Sequence, residues 1–252
     1  MNDNSNIQKD KFIAEQKRVF EIVYRHTPHF ALAGGTALSW YYLHHRMSYD
    51  LDFFAEDFHP EEIAAAMEAL SGAYPHRPEP RGVTVTPDSA RIQQFFLPIH
   101  ISPEFEKLKL DFVEDVYPEP KVNSLDGMPV YGEESLYIRK IYAVAGSRSR
   151  TTEVGAEVPA GRRVARDLVD IYFLSNRVCP LHKFIVNGID RGAFDSDLPR
   201  RLVIWSKRFS REDFLHEYIE MDLYERPDPK AGIFRHIDAE LMRLMEHVVE
   251  KG

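Results

Sequence analysis

The stretch Phe30-Ala-Leu-Ala-Gly-Gly-Thr-Ala-Leu-Ser-Trp40, followed by Tyr49-Asp-Leu-Asp-Phe-Phe54, constrains this chain more than any other. Phe30 to Ala33 is apolar and reads as a buried strand. Gly34 and Gly35 lack Cβ atoms, so the backbone there can turn sharply and approach a ligand closely. Thr36 opens a helix-compatible run to about His45. A helix start carries unpaired N–H groups and a positive dipole end, which favours an anion such as phosphate. Asp50 and Asp52 stand two apart on a predicted strand, so both carboxylates leave one face while Leu51 and Phe53 leave the other. Two oxygen donors on one face suit Mg²⁺ (or Mn²⁺). Either half alone has a bland reading, as an ordinary tight turn or a solvated strand face. Their order and spacing together point to a site for a nucleoside triphosphate and its metal.

Gly34-Gly35-Thr36-Ala37-Leu38, then His45-Arg46, Ser48 and Asp50-Leu51-Asp52-Phe53, resemble the nucleotidyltransferases of the AbiEii/AbiGii toxin group, within the DNA polymerase β-like superfamily. The likeness extends from about residue 12 to about residue 178. It implies an α+β fold: a minimal nucleotidyltransferase core, with a short mixed sheet flanked by helices, followed by a helical C-terminal domain. We expect residues 1–132 to form the core and 133–252 to form the helical domain, which would contribute lysine and aspartate to the cleft. The resemblance further implies a bacterial enzyme that moves an NMP from an NTP to an acceptor hydroxyl and releases pyrophosphate. It would be a toxin of the type IV toxin–antitoxin kind, with a separate antitoxin protein as partner and an RNA, such as the 3′ end of tRNA, as acceptor.

Further residues fit that pattern. In Lys107-Leu-Lys-Leu-Asp-Phe-Val113, Leu108, Leu110 and Phe112 alternate inward, while Lys109, Asp111 and Val113 share the opposite face. Superfamily members often carry a third metal-binding aspartate on a neighbouring strand, and Asp111 fits that position. It could instead be a general base, or a strand-face carboxylate paired with Lys109. Tyr137-Ile-Arg-Lys-Ile-Tyr-Ala143 and Arg162-Arg-Val-Ala-Arg-Asp-Leu-Val-Asp-Ile-Tyr-Phe-Leu174 resemble the family's lysine-bearing helix and its Arg-Asp-x-x-Asp helix. The resemblance makes Lys140 a nucleotide-binding cation and Asp167 or Asp170 an orienting carboxylate. On the residues alone, helical pairs Arg163–Asp167 and Arg166–Asp170 would explain these charges equally well. The expected site therefore comprises Asp50, Asp52 and Asp111 for metal, Gly34, Gly35, Thr36 and Lys140 for nucleotide, and Asp167 and Asp170 beside them.

Composition narrows the classes. The chain has 252 residues, of which 44% are hydrophobic and 29% charged, as in a globular protein with a real core. No apolar run approaches the roughly 18 residues of a membrane span, and the polar Met-Asn-Asp-Asn-Ser-Asn start lacks a signal-type apolar region. The single Cys179 cannot close an internal disulfide, which fits a reducing cytoplasm, and a buried, inert thiol is expected. A net charge of −8 argues against broad nucleic-acid binding. Arg148, Arg150, Arg162, Arg163 and Arg166 nonetheless form a local basic stretch: a solvated loop and helix face, or a phosphate-contacting edge. The run Gly146–Gly161 is longer than the family leads us to expect and suggests a flap. His44, His45 and Arg46 suggest structural roles, because adjacent histidines point in different directions. No P-loop or nucleophile-elbow motif is present.

Helices are predicted over about 10–26, 60–71, 197–209, 211–220 and 232–250, and strands over Val83–Thr86, Arg91–Ile101 and Leu108–Val113, with a turn-rich 118–132. Trp205, Phe209, Phe214 and Leu215 read as core. Two other readings of the chain stay open: a nucleotidyltransferase acting on a small aminoglycoside-like acceptor, and a silent NTP-binding regulator.

Overall fold

A computed structural model describes residues 3–86, 90–117, 120–146, 149–151, 157–159 and 161–251. Contacts divide the chain into two compact units. The first comprises Met1–Ala37 and Ser48–Gly132, and the second Leu38–Met47 and Glu133–Gly252. The fold is α+β: a mixed seven-stranded sheet with helices, then a largely helical region.

The first unit runs α1 (Asp3–Tyr24), β1 (Ala31–Ala33), the one-turn α2 (Gly34–Ala37), β2 (Asp50–Ala55), α3 (Pro60–Ala73), β3 (Glu79–Val85), β4 (Arg91–Ser102), β5 (Phe105–Glu114), β6 (Val122–Leu125) and β7 (Met128–Tyr131). The strand order is β3-β4-β5-β2-β1-β7-β6. The β2–β5 and β1–β7 pairs are parallel and the rest antiparallel. α3 begins on Pro60, whose missing N–H costs nothing at a first helical position. β6 and β7 lie within the turn-rich 118–132 stretch. Their hairpin closes on Asp126-Gly127, both at positive φ (51° and 77°), the left-handed pair that a tight two-residue hairpin demands.

The core lies on one face of the sheet's centre. Leu51, Phe53, Leu110 and Phe112 are buried there by strict alternation, and the Phe53 and Phe112 rings stack with centroids 5.0 Å apart. α1 covers this face with Phe12, Val19, Phe20 and Val23, and Phe20 meets Phe53 at 6.0 Å. Each large side chain so buried contributes roughly 1.5–3 kcal/mol. Alternation then leaves the other face of β2 and β5 to Asp50, Asp52, Lys109 and Asp111.

In the second unit a π-helical stretch, Leu38–Leu43, is followed by an extended segment in which Arg46 bridges Leu223. The Met47 N–H donates to the Asp222 carbonyl at 2.8 Å, and the Tyr224 N–H to the His45 carbonyl at 2.9 Å. Then come α4 (Glu133–Ala145), the two-stranded β8 (Ser149–Thr151) and β9 (Glu157–Pro159), α5 (Ala165–Arg177), α6 (Leu181–Asp190), α7 (Leu198–Arg208), α8 (Arg211–Glu220), a second π-helical stretch Pro229–Phe234, and α9 (Arg235–Lys251). The β8–β9 pair and α6 were not read from the sequence. Ser210 caps α8 by accepting from the Asp213 N–H at 3.1 Å. Trp205 and Phe214 are buried as expected, whereas Phe209 and Leu215 are half-buried. Cys179 is partly exposed rather than buried, and its thiol is pushed up by desolvation. Arg148 and half of the proposed flap lie outside the described residues. No described helix is long and apolar enough to cross a membrane.

Candidate functional site

Register assembles the acidic face of the first unit. In the parallel β2–β5 pair, Asp50 stands opposite Lys109 and Asp52 opposite Asp111. Paired residues of neighbouring strands share a face, so three carboxylates and one ammonium project together. On the other side of β2, Ala33 at the end of β1 faces Asp52, and the chain turns at once into Gly34. Gly34 sits at φ +64°, and a Cβ built there would fall 1.8 Å from Asp52 Oδ2. The Asp52 carboxylate therefore lies in space that only glycine leaves open. The Thr36 hydroxyl donates to the Asp50 carbonyl and is fully buried, which ties the turn to the start of the aspartate strand. Its side chain is thus a brace, and its backbone amide is what the turn can offer a phosphate.

Asp111 is the most enclosed of the three carboxylates. Its Oδ1 accepts from Gln94 Nε2 at 3.1 Å and its Oδ2 from Lys109 Nζ at 2.5 Å. Desolvation pushes its pKa above the usual carboxylate range; Lys109 works against this and Asp50 adds to it. Lys109 Nζ also lies 3.9 Å from Asp50 Oδ2. Burial disfavours its charge, but the hydrogen bond to Asp111 and the fields of Asp50, Asp111 and Asp52 hold its pKa above the ordinary lysine value. The fit of this face to a divalent cation rests on that donor set. The carboxylate oxygens are hard donors, Gly34 keeps room for one of them, and a cationic group already rests among them. Asp50, Asp52 and Asp111 are the residues that would hold the ion.

The second unit contains its own charge network. Asp170, on α5, is completely buried. Arg46 Nε and Nη2 reach its two oxygens at 2.7 and 2.8 Å, His45 Nε2 lies 2.7 Å from Oδ1, and Lys140 Nζ lies 2.7 Å from Oδ2. Lys140 also donates to Asp167 Oδ1 at 2.8 Å, and Arg162 Nε lies 3.1 Å from Asp167 Oδ2. Burial alone would raise both carboxyls. Arg46 and Lys140 outweigh it at Asp170, holding it well below the usual range, and Lys140 and Arg162 hold Asp167 down. Burial also lowers the His45 pKa, against the pull of Asp170, so the imidazole is neutral near pH 7. Lys140, Asp167 and Asp170 are thus brought together. The partners of Asp170 include His45 and Arg46, distant in sequence, which no local spacing could reveal. Lys109 and Gln94 were likewise not singled out as site residues.

Known proteins share the fold and define the family. A crystal structure of a candidate nucleotidyltransferase from H. pylori shares the fold at TM-score 0.53 and 19% identity, over 95% of this chain and 97% of that one. The structure of JHP933 from Helicobacter pylori aligns at TM-score 0.52 and 19% identity, over 94% of each chain. No curated protein matches closely enough to count as a relative. The model of the nucleotidyl transferase AbiEii toxin family, of type IV toxin–antitoxin systems, matches residues 22–243, and the chain belongs to that family.

Proposed function

We propose that this protein is a Mg²⁺-dependent toxin that transfers an NMP from an NTP to a hydroxyl of RNA, at the 3′ end of tRNA, and that a separate antitoxin protein restrains it. The observation that carries the reading is the sheet register that sets Asp50, Asp52 and Asp111 on one face beside Gly34. Family membership supports the reaction class and the toxin role.

In the proposed reaction the acceptor hydroxyl gives up its proton to solvent as its oxygen forms a bond to the α-phosphorus, the bond from that phosphorus to the bridging oxygen breaks, and pyrophosphate leaves with its electron pair. Asp50, Asp52 and Asp111 hold the divalent ion. When bound, Mg²⁺ supplies charge neutralisation to the phosphates and to the leaving pyrophosphate. The Gly34-Gly35-Thr36 backbone borders Asp52 closely enough to bind the phosphates that share its ion. Lys140, whose ammonium Asp167 and Asp170 fix, is assigned to the same reaction as a point-charge partner for phosphate.

The test is incubation of the purified protein with each α-labelled NTP, Mg²⁺ and total bacterial tRNA, beside an Asp50→Ala/Asp52→Ala variant. Label should move to RNA with the intact protein and not with the variant. Absence of label in RNA from every NTP would overturn the RNA acceptor. If NTP binding were retained, the acceptor would then be sought among cationic small molecules.

A further inference from the structure

One group on the acidic face has no part in the reaction as described. Lys109 stands opposite Asp50 across the β2–β5 pair and next but one to Asp111 on its own strand. Its ammonium lies 2.5 Å from Asp111 Oδ2 and 3.9 Å from Asp50 Oδ2. These are two of the three carboxylates assigned to the metal. An ammonium and a divalent ion cannot share such a position, because both need the same oxygens and repel each other.

We propose that Lys109 is the site's resident cation, holding the carboxylates together when no divalent ion is bound and giving up its place when one binds. The inference rests on the metal role assigned to Asp50, Asp52 and Asp111. Its physical basis is competition. Three carboxylates on one face repel one another, and a cation of either kind relieves that repulsion. The lysine stem can release the site without moving the strand: the side chain is 26% exposed and carries four rotatable carbons. Once displaced, the ammonium stays beside the bound triphosphate, where it acts as a point-charge contact to phosphate oxygen. Lys109 is accordingly a positioning residue for metal and nucleotide. A plain strand-surface ion pair with Asp111 would have no such consequence, since exposed pairs contribute little and compete with no ligand.

The two accounts separate on metal binding, which needs no turnover. Mn²⁺ affinity is measured on the full chain by electron paramagnetic resonance at fixed ionic strength, for the wild type, Lys109→Met and Lys109→Arg. Lys109→Met should bind Mn²⁺ about tenfold or more tightly, because the competitor is gone. Its metal-free form should melt below the wild type, and its melting temperature should rise more on adding Mn²⁺. Lys109→Arg, which keeps the charge, should keep an affinity near that of the wild type. With Mn²⁺ saturating, the Met variant should show a raised KM for NTP and a smaller change in kcat. An unchanged Mn²⁺ affinity in Lys109→Met overturns the proposal. An Asp50→Asn/Asp52→Asn variant distinguishes that failure from a deeper one. If it binds Mn²⁺ as the wild type does, the metal role of the aspartates falls, and the role of Lys109 falls with it.

Discussion

Gly34→Ala is expected to abolish transfer nearly as completely as removal of Asp52, although it changes no charge and replaces no acidic residue. The added methyl carbon would sit 1.8 Å from Asp52 Oδ2 and 2.7 Å from its Cγ. The carboxylate must retreat by about 1 Å or more to restore ordinary contact. Displacements of that size among reacting groups cost about 10²-fold in rate. The backbone adds its own penalty: at φ +64° an alanine is held in the left-handed region at about 1–2 kcal/mol. These two costs separate by a double-mutant cycle on stability. In an Asp52→Ala background the clash with the carboxylate is gone, so Gly34→Ala should cost little more than the backbone strain. In the wild-type background it should cost about 1 kcal/mol or more beyond that. Labelled-NTP transfer and urea unfolding of the four proteins give both quantities. A Gly34→Ala protein within about threefold of wild-type transfer would show that Asp52 does not need the position the structure assigns it.

That prediction joins two features that were legible from sequence in unequal degree. The period-2 alternation of Asp50-Leu51-Asp52-Phe53 and of Lys109-Leu110-Asp111-Phe112 separates a chemical face from a core face without any coordinates. Pro60 marks the start of α3 for the same local reason. Contact between Gly34 and Asp52 could not be read this way, because it depends on β1 and β2 lying side by side. The position of Lys109 is a similar case. Its share of a face with Asp111 follows from spacing, whereas its approach to Asp50 needs the parallel β2–β5 register. The β6–β7 hairpin has a local signal, Asp126-Gly127, but its strands are four residues each and carry one proline and polar groups that mask the pattern. The segment Leu38–Met47 looked like a helix continuing from the glycine turn, yet its contacts belong to the second unit. Charge pairing there was the least legible of all. Helical spacing suggests Arg163 for Asp167 and Arg166 for Asp170, whereas Asp170 is matched to Arg46 and His45, more than a hundred residues away.

That buried network carries the largest expected effect on stability. In Asp170→Asn the fork of Arg46 and the ammonium of Lys140 lose the full charge they share, while remaining in a site with almost no solvent. Breaking a buried pair by removing one partner costs about 3–5 kcal/mol. That corresponds to a fall in melting temperature on the order of 10 °C for a chain of this size. Arg46→Lys keeps the charge and loses the two-pronged contact, so it should fall between the wild type and Asp170→Asn, and it remains measurable if the asparagine variant does not fold. The pH dependence has a definite sign. Asp170 is held far below its ordinary 3.8, so its contribution is complete above about pH 4 and is lost only as pH falls further. His45 is held below its ordinary 6.5; below that pH the unfolded chain takes up a proton that the folded one refuses, and stability erodes there as well. Both effects act toward acid, so the destabilisation caused by Asp170→Asn should be constant across pH 7–8 and should shrink only where the wild type itself loses the Asp170 contribution. Arg46 and His45 also anchor the segment by which the chain leaves the Gly34 turn and returns to Asp50. A variant without Asp170 should therefore lose order first in that segment, seen as faster amide hydrogen exchange at Tyr224 and Met47, whose N–H groups pair with or within it. A melting temperature within about 2 °C of the wild type, with exchange unchanged at those amides, would mean that the charges on Asp170 are dispensable to the fold.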